Sequence, residues 1–404
     1  MSHVFLARQP IFDRERAVTG YELLYRGGIA PRAIVEDAEA ATAAVALNAL
    51  TEMGLDRLVG EQIAWINVTR EFLLRGLARN LPAERVVLEI LERQIVDEPL
   101  LTLVAELRSS GYVLALDDFT YSPAIEQLLP LVAYVKLDLL NLGPDAFVAE
   151  AQRLQDYDVT LVAEKVETHE EFELGGQAGC DLFQGFFFCR PEFIRDRAIA
   201  PTGMALLRLA AALADPRLEL ADLERLIAND VTLSYRLLRY INSAYFGLRN
   251  RVSSIMHAVT LLGLQNVKQW ATLTTFAAID DKPRELFVTA LVRARFCELA
   301  GEPVDGSPEE RFTLGLFSVL DALMDTTMER AVESLPLPPR MRDALVKRYG
   351  GGRLLTCVEA IERGDMNASV RQLAHAARHY VTALSWANDT VRDLADADAD
   401  ADAA

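Results

Sequence analysis

With 404 residues, 51% of them apolar, the chain is long enough for two packed cores, because one core rarely grows past about 250–300 residues. Its formal charge of −18 disfavours a bare nucleic-acid backbone as partner, since that binding calls for a basic footprint. It has no run of about 18 apolar residues to cross a membrane, and residues 1–8 lack the basic start and apolar core of a secretory signal, so a cytoplasmic location is expected.

Short apolar runs at 63–68, 86–91, 112–116, 134–137 and 159–163 predict buried strands, with amphipathic helical segments between them, as over 98–108 and 145–155. Strands separated by single helices imply parallel pairing, in either a closed barrel or an open doubly wound sheet. Cys180, Cys189, Cys297 and Cys357 stand without C-x-x-C spacing and read as reduced packing residues, not as a disulfide framework or a zinc site. Residues 190–202, with Pro191 and Pro201, form the expected linker. Beyond it, helical spacing over 204–214, 220–229, 232–242, 255–262 and 284–300 predicts an all-helical second half. The Asp-Ala alternation from Asp393 offers little to bury and predicts a solvated end. The expected division is a domain over 1–195, a helical domain over 196–388 and an acidic disordered tail over 389–404.

Polar residues interrupt nearly every predicted strand. Glu22 lies in Tyr21-Glu22-Leu23-Leu24-Tyr25-Arg26, Asn67 in Trp65-Ile66-Asn67-Val68 and Glu89 in Val87-Leu88-Glu89-Ile90. Asp117 and Asp118 close Leu114-Ala115-Leu116-Asp117-Asp118, Lys136 and Asp138 lie in Val135-Lys136-Leu137-Asp138, Glu164 and Glu167 in Ala163-Glu164-Lys165-Val166-Glu167, and Gln184 in Phe183-Gln184-Gly185. A carboxylate inside an apolar strand is costly unless paired or bound to a cation, so its recurrence on successive strands calls for one shared explanation. In a parallel barrel the strand ends converge on one face. Hard oxygen donors suit Mg2+, Mn2+ or Ca2+, and this many could hold two ions that clamp a phosphodiester and activate a water.

On these residues, with Arg8-Gln9-Pro10-Ile11 and the pattern Glu22-x-Leu24-x-Arg26, residues 1–195 resemble an EAL domain, of the cyclic-di-GMP phosphodiesterase family. The resemblance implies an α/β TIM-like barrel that cuts cyclic-di-GMP to linear pGpG with two divalent ions, Mg2+ or Mn2+. It implies Glu22, Asn67, Glu89, Asp117, Asp118 and Glu164 as metal ligands, so that Asp118 and Glu164 belong to the catalytic set. Lys136 would orient or polarise the attacking water, Arg26 would contact the ligand's phosphate and Gln184 would lie beside it. Two departures stand out. A Gly-Thr-Gly loop usually follows the paired aspartates, whereas this chain reads Asp118-Phe119-Thr120-Tyr121-Ser122-Pro123. Ala-Glu-Gly-Val-Glu has become Ala-Glu-Lys-Val-Glu, where Lys165 could neutralise the acids beside it in place of a metal. Because metal chemistry tolerates little misplacement, nucleotide binding with weak or lost hydrolysis is expected ahead of full activity. An active phosphodiesterase and a nucleotide-independent scaffold are the alternatives.

The second half is similar to an HDOD domain, an all-α helical relative of the HD-GYP phosphohydrolases. Leu238-Arg239-Tyr240-Ile241-Asn242-Ser243-Ala244-Tyr245-Phe246-Gly247 carries the resemblance, followed by Ile255, Ala258, Val259 and Leu262-Gly263. A true HD enzyme holds its metals with an adjacent His-Asp pair, and the equivalent stretch, Gly315-Leu316-Phe317-Ser318-Val319-Leu320-Asp321, has none. His375 and His379 share a helical face without an accompanying Glu, and His257 reads as packing. The resemblance therefore implies a domain without metal that engages an unknown protein partner. EAL relatives often pair through the barrel, which makes a homodimer a further expectation.

Overall fold

The computed structural model describes residues 5–26, 54–91, 95–189, 201–213, 215, 217–228, 254–277, 282–335, 337–364 and 376–402. The expected helix 232–242, the stretch 238–247 and His375 lie outside them. The chain divides into two compact units, Met1–Arg190 with Ile361–Met366, and Pro191–Ala360 with Asn367–Ala404. The main division falls within the 190–202 segment read as a linker.

Eight strands close the first unit into a barrel in sequence order: β1 Phe5–Phe12, β2 Val18–Arg26, β3 Ile63–Val68, β4 Val86–Leu91, β5 Val113–Asp117, β6 Tyr134–Asp138, β7 Thr160–Glu164 and β8 Leu182–Gln184. β2 to β8 pair in parallel, but β1 runs antiparallel to both β2 and β8. That departure from an all-parallel barrel follows from the short connection after Phe12. The Asp13 amide bonds the Ala17 carbonyl at 2.9 Å and Arg16 adopts φ 63°, a tight turn that suits a hairpin and is too short for a crossover.

The interior is layered by the two-residue period of a strand. Ile11, Trp65, Val87, Ala115 and Val162 form a buried apolar cluster, with Ile63, Val113, Tyr134 and Leu182 packed against it. Trp65 packs its ring on Tyr134, centroids 4.8 Å apart. Gly20 makes room for that indole, since a Cβ there would lie 2.7 Å from Trp65 Nε1. Two residues further along each strand, on the same interior face, stand Glu22, Asn67, Glu89, Asp117, Lys136, Glu164 and Gln184. The apolar layer is thus the floor on which the polar layer rests.

Helices α1 Leu55–Val59, α2 Arg70–Leu74, α3 Glu98–Ser109, α4 Leu139–Leu142, α5 Pro144–Leu154 and α6 His169–Ala178 belong to this unit. α3 buries Leu100, Val104 and Leu107, one stripe at helical spacing, and Asp97 caps it by accepting the Leu100 amide.

Among its described residues the second unit is helical throughout: α7 Pro201–Leu213, α8 Leu220–Ala228, α9 Ile255–Leu262, α10 Leu264–Ala277, α11 Arg284–Ala300, α12 Pro308–Leu316, α13 Leu320–Met324, α14 Met328–Glu333, α15 Pro339–Lys347, α16 Gly352–Glu362 and α17 Ala376–Asp402. α11 is buried around most of its circumference and forms the centre. The disordered tail expected over 389–404 requires correction, because α17 continues to Asp402. Buried Tyr380, Ala383, Leu384, Ala387 and Thr390 fix its first turns, and alanine, the best helix former, favours its propagation from there. No helix among the described residues is long and apolar enough to cross a membrane.

Candidate active site at the barrel mouth

The polar layer closes around one cation. Lys136 on β6 is fully buried, and its Nζ lies 2.7 Å from Glu164, 2.9 Å from Glu89, 3.1 Å from Asp117 and 3.2 Å from Glu22. Register assembles the group: Asn67 pairs with Glu89 across β3 and β4, and Asp138 with Glu164 across β6 and β7. Glu22 accepts from Asn67 Nδ2 at 2.6 Å and from Gln184 Nε2 at 2.5 Å, and Gln184 also donates to Gln9 Oε1 at 2.9 Å.

Four acids around one ammonium titrate unequally. Burial would raise the Glu22 carboxyl, but Lys136 and the bonds from Gln184 and Asn67 hold it below the ordinary range. Burial lifts Glu89 well above that range, with the Glu22 charge adding to the effect. Burial also raises Asp117, and it brings Glu164 up to about 8 against the pull of Lys136. Lys136 is pushed well up, because its four carboxylates outweigh burial.

These residues fit a divalent cation. Among the described residues no donor reaches the buried oxygens Glu89 Oε2, Asn67 Oδ1 and Gln184 Oε1, and unsatisfied hard oxygens beside a cluster of carboxylates are what such an ion seeks. No three carboxylate, imidazole or thiolate groups among the described residues already stand in a metal-holding arrangement, for the ammonium of Lys136 occupies their meeting point. An ion entering there must displace the proton on Glu164, so metal affinity is expected to rise from about pH 6 to about pH 8 and then level off. Calorimetric titrations in buffers of different protonation enthalpy check this through the protons released.

Of the other expected site residues, Asp118 lies at the rim, not in the cage, with a half-exposed side chain and φ 45°. Arg26 ends β2, and its side chain lies outside the described residues. Lys165 corrects an expectation. It ion-pairs with Asp138 and stands 3.9 Å from Asp118, while Glu164 takes its charge partner from Lys136. The cause is its position just past the end of β7, where φ 56° turns the chain and the neighbouring strand end of β6 supplies the acid. Gly185 holds the next strand end close, since a Cβ there would fall 1.9 Å from the Val166 carbonyl oxygen.

The loop after Asp118 lacks glycines yet is anchored. Phe119 is buried and its amide donates to the Lys136 carbonyl at 3.0 Å. Glu126 then accepts from the hydroxyls of Tyr121 at 2.8 Å and Tyr157 at 2.7 Å, while the Arg153 guanidinium covers the Tyr121 ring. Sequence reading missed this bracket, whose parts are 31 residues apart. Glu126→Gln, which replaces one acceptor oxygen with a donor, is expected to loosen the loop and weaken metal binding by about tenfold, read by metal titration.

The EAL domain family matches residues 2–191 and the HDOD domain family residues 200–333. The cyclic di-GMP phosphodiesterase CdgJ of Vibrio cholerae is 37% identical over 374 residues, which cover 90% of this chain and 86% of CdgJ. The chain belongs to the EAL–HDOD proteins. YuxH of Bacillus subtilis, an uncharacterized protein, is 30% identical over 96% of this chain and 98% of its own length. A solved Klebsiella pneumoniae structure, the BlrP1 calcium/cy-diGMP complex, is 24% identical and covers 45% of this chain and 54% of its own, with a TM-score of 0.38.

In the HDOD unit, the stretch that would carry a His-Asp pair runs through the end of α12, a 3-10 turn at Phe317–Val319 and the start of α13. Ser318 accepts from the buried Arg293 guanidinium at 3.3 Å, and Glu359 is shared between Arg348 at 2.8 Å and Arg293 at 3.7 Å. Burial raises the Asp321 carboxyl against the pull of both arginines. His379, half-buried on α17, and His257 on α9 join no metal-holding group among the described residues.

Proposed function

We propose that the barrel mouth is a metal-dependent phosphodiesterase site for cyclic-di-GMP that yields linear pGpG. One observation carries the reading: carboxylates from β2, β4, β5 and β7 converge on one point, flanked by the amides of Asn67 on β3 and Gln184 on β8, with buried acceptor oxygens left unsatisfied among the described residues. CdgJ, named as a phosphodiesterase of that nucleotide, supports the choice of substrate. Glu22, Asn67, Glu89, Asp117 and Glu164 would hold Mg2+ or Mn2+, with Asp118 at the rim. Bound there, a divalent ion supplies Lewis-acid polarisation of the phosphodiester and a more acidic water. Lys136 would orient the attacking water once a bound ion draws carboxylates such as Glu164 away from its ammonium. Arg26 and Gln184 contact the nucleotide. The anchored Phe119 loop answers the missing glycines, which moves this reading ahead of the weaker activity expected from sequence.

A second reading, a cyclic-di-GMP receptor with weak or lost hydrolysis, is favoured by the Lys165–Asp138 pair, which commits a rim acid to a lysine. In either case the HDOD unit is the surface for a protein partner, and the working assembly is a homodimer. Calorimetric binding of cyclic-di-GMP in Ca2+, alongside chromatography of products in Mg2+ or Mn2+, separates the readings. Binding with pGpG formation supports the phosphodiesterase, and binding alone the receptor. Neither signal would leave a nucleotide-independent scaffold.

A further inference from the structure

The inner cage and the rim of the barrel mouth are charged differently. Inside, Glu22, Glu89, Asp117 and Glu164 face the single ammonium of Lys136. At the rim, Asp118 and Asp138 face Lys165. The rim sets two acids against one lysine and the cage four against one, so the cage has the larger deficit of positive charge for protons or a metal ion to meet.

The rim arrangement is built, not incidental. Lys165 holds φ 56° and Asp118 φ 45°, in the left-handed region that disfavours any side chain but suits glycine. Asp138 is almost fully buried, and its Oδ1 caps α4 by accepting the Asn141 amide at 2.9 Å. An acid so placed cannot turn outward to water; its second oxygen accepts from the Asn141 side-chain amide and takes its charge partner from Lys165.

We propose that Lys165 is a resident cation standing in for a divalent ion at the rim, so that this barrel takes one divalent ion per chain, in the cage around Glu22, Glu89, Asp117 and Glu164. The proposal rests on the metal-dependent reading above and adds a stoichiometry to it. A lysine charge cannot dissociate, so the rim keeps its cation at any metal concentration and the ion requirement of the site is set by the cage alone.

The test is a metal count on the full chain, dialysed to equilibrium against Mn2+ and measured by atomic emission for wild type, Lys165→Gly and Lys165→Arg. Glycine suits the backbone at this position, so the first variant keeps the fold, which thermal unfolding verifies. The expected result is one ion per chain for wild type and Lys165→Arg, and two for Lys165→Gly, whose rim acids are then uncompensated. Two ions in wild type, or one in Lys165→Gly, overturns the proposal and leaves the metal-dependent reading standing. No ion in any of the three overturns both.

Discussion

Lys136→Met is expected to destabilise the metal-free protein by about 3–5 kcal/mol, the cost of breaking a buried ion pair by removing one partner. The side chain is fully buried and touches four carboxylates, so a thioether of similar length preserves volume and removes only the charge. The stranded acids then repel one another and take up protons to relieve it. Two consequences separate this from a packing defect. Stability should fall more steeply with rising pH than in wild type. Millimolar Mg2+ should also restore more stability to the variant, because the ion then supplies the only cation in the cage; a free concentration a hundred times the dissociation constant contributes about 2.7 kcal/mol. Thermal melts with and without Mg2+ across pH check both. Equal stabilisation of wild type and variant by Mg2+ would place the ion elsewhere.

Glu164→Gln, which removes a charged oxygen proposed to hold the ion, is expected to weaken metal binding by about tenfold or more and to lower turnover by about a hundredfold or more. The same variant has a stability signature. The free carboxyl ionises near 4.5 and the folded one at about 8, so between those values the folded state keeps a proton that the unfolded chain has lost. Glu164 therefore contributes stability that is fully present below 4.5 and is lost as pH rises through about 8. The amide cannot ionise, so the metal-free variant should show a flatter decline over this window. Denaturant melts at several pH values measure it, and an unchanged slope would mean that Glu164 does not hold the proton.

Much of the barrel and its site was legible because both obey the strand period. The five predicted strands lie within one residue of β3 to β7, and the polar interruptions Asn67, Glu89, Asp117, Lys136 and Glu164 mark interior positions one layer above apolar ones. β8, three residues long, is too short to show a period, and β1 and β2 were read as motifs because their hairpin breaks the strand–helix alternation. The partner of Lys165 was not legible: its sequence neighbours are acids, but register brings Asp138, 27 residues away, to its ammonium. The same holds for the Tyr121–Glu126–Tyr157 bracket. α10 escaped notice because Thr272, Thr274 and Thr275 resemble a strand, whereas their hydroxyls bond the carbonyls one turn back. The end of α17 is not legible in the Asp-Ala alternation because composition alone does not register a helix already nucleated upstream.

Product analysis shows whether the acids gathered around Lys136 form a metal-dependent phosphodiesterase site. Full-length wild type and Asp117→Asn are incubated with cyclic-di-GMP and Mn2+, each with and without excess chelator. Production of pGpG is expected only with free Mn2+, and at least about a hundredfold less of it from the variant than from wild type. Nucleotide cleaved equally by Asp117→Asn, or no cleavage by metal-loaded wild type, would contradict it.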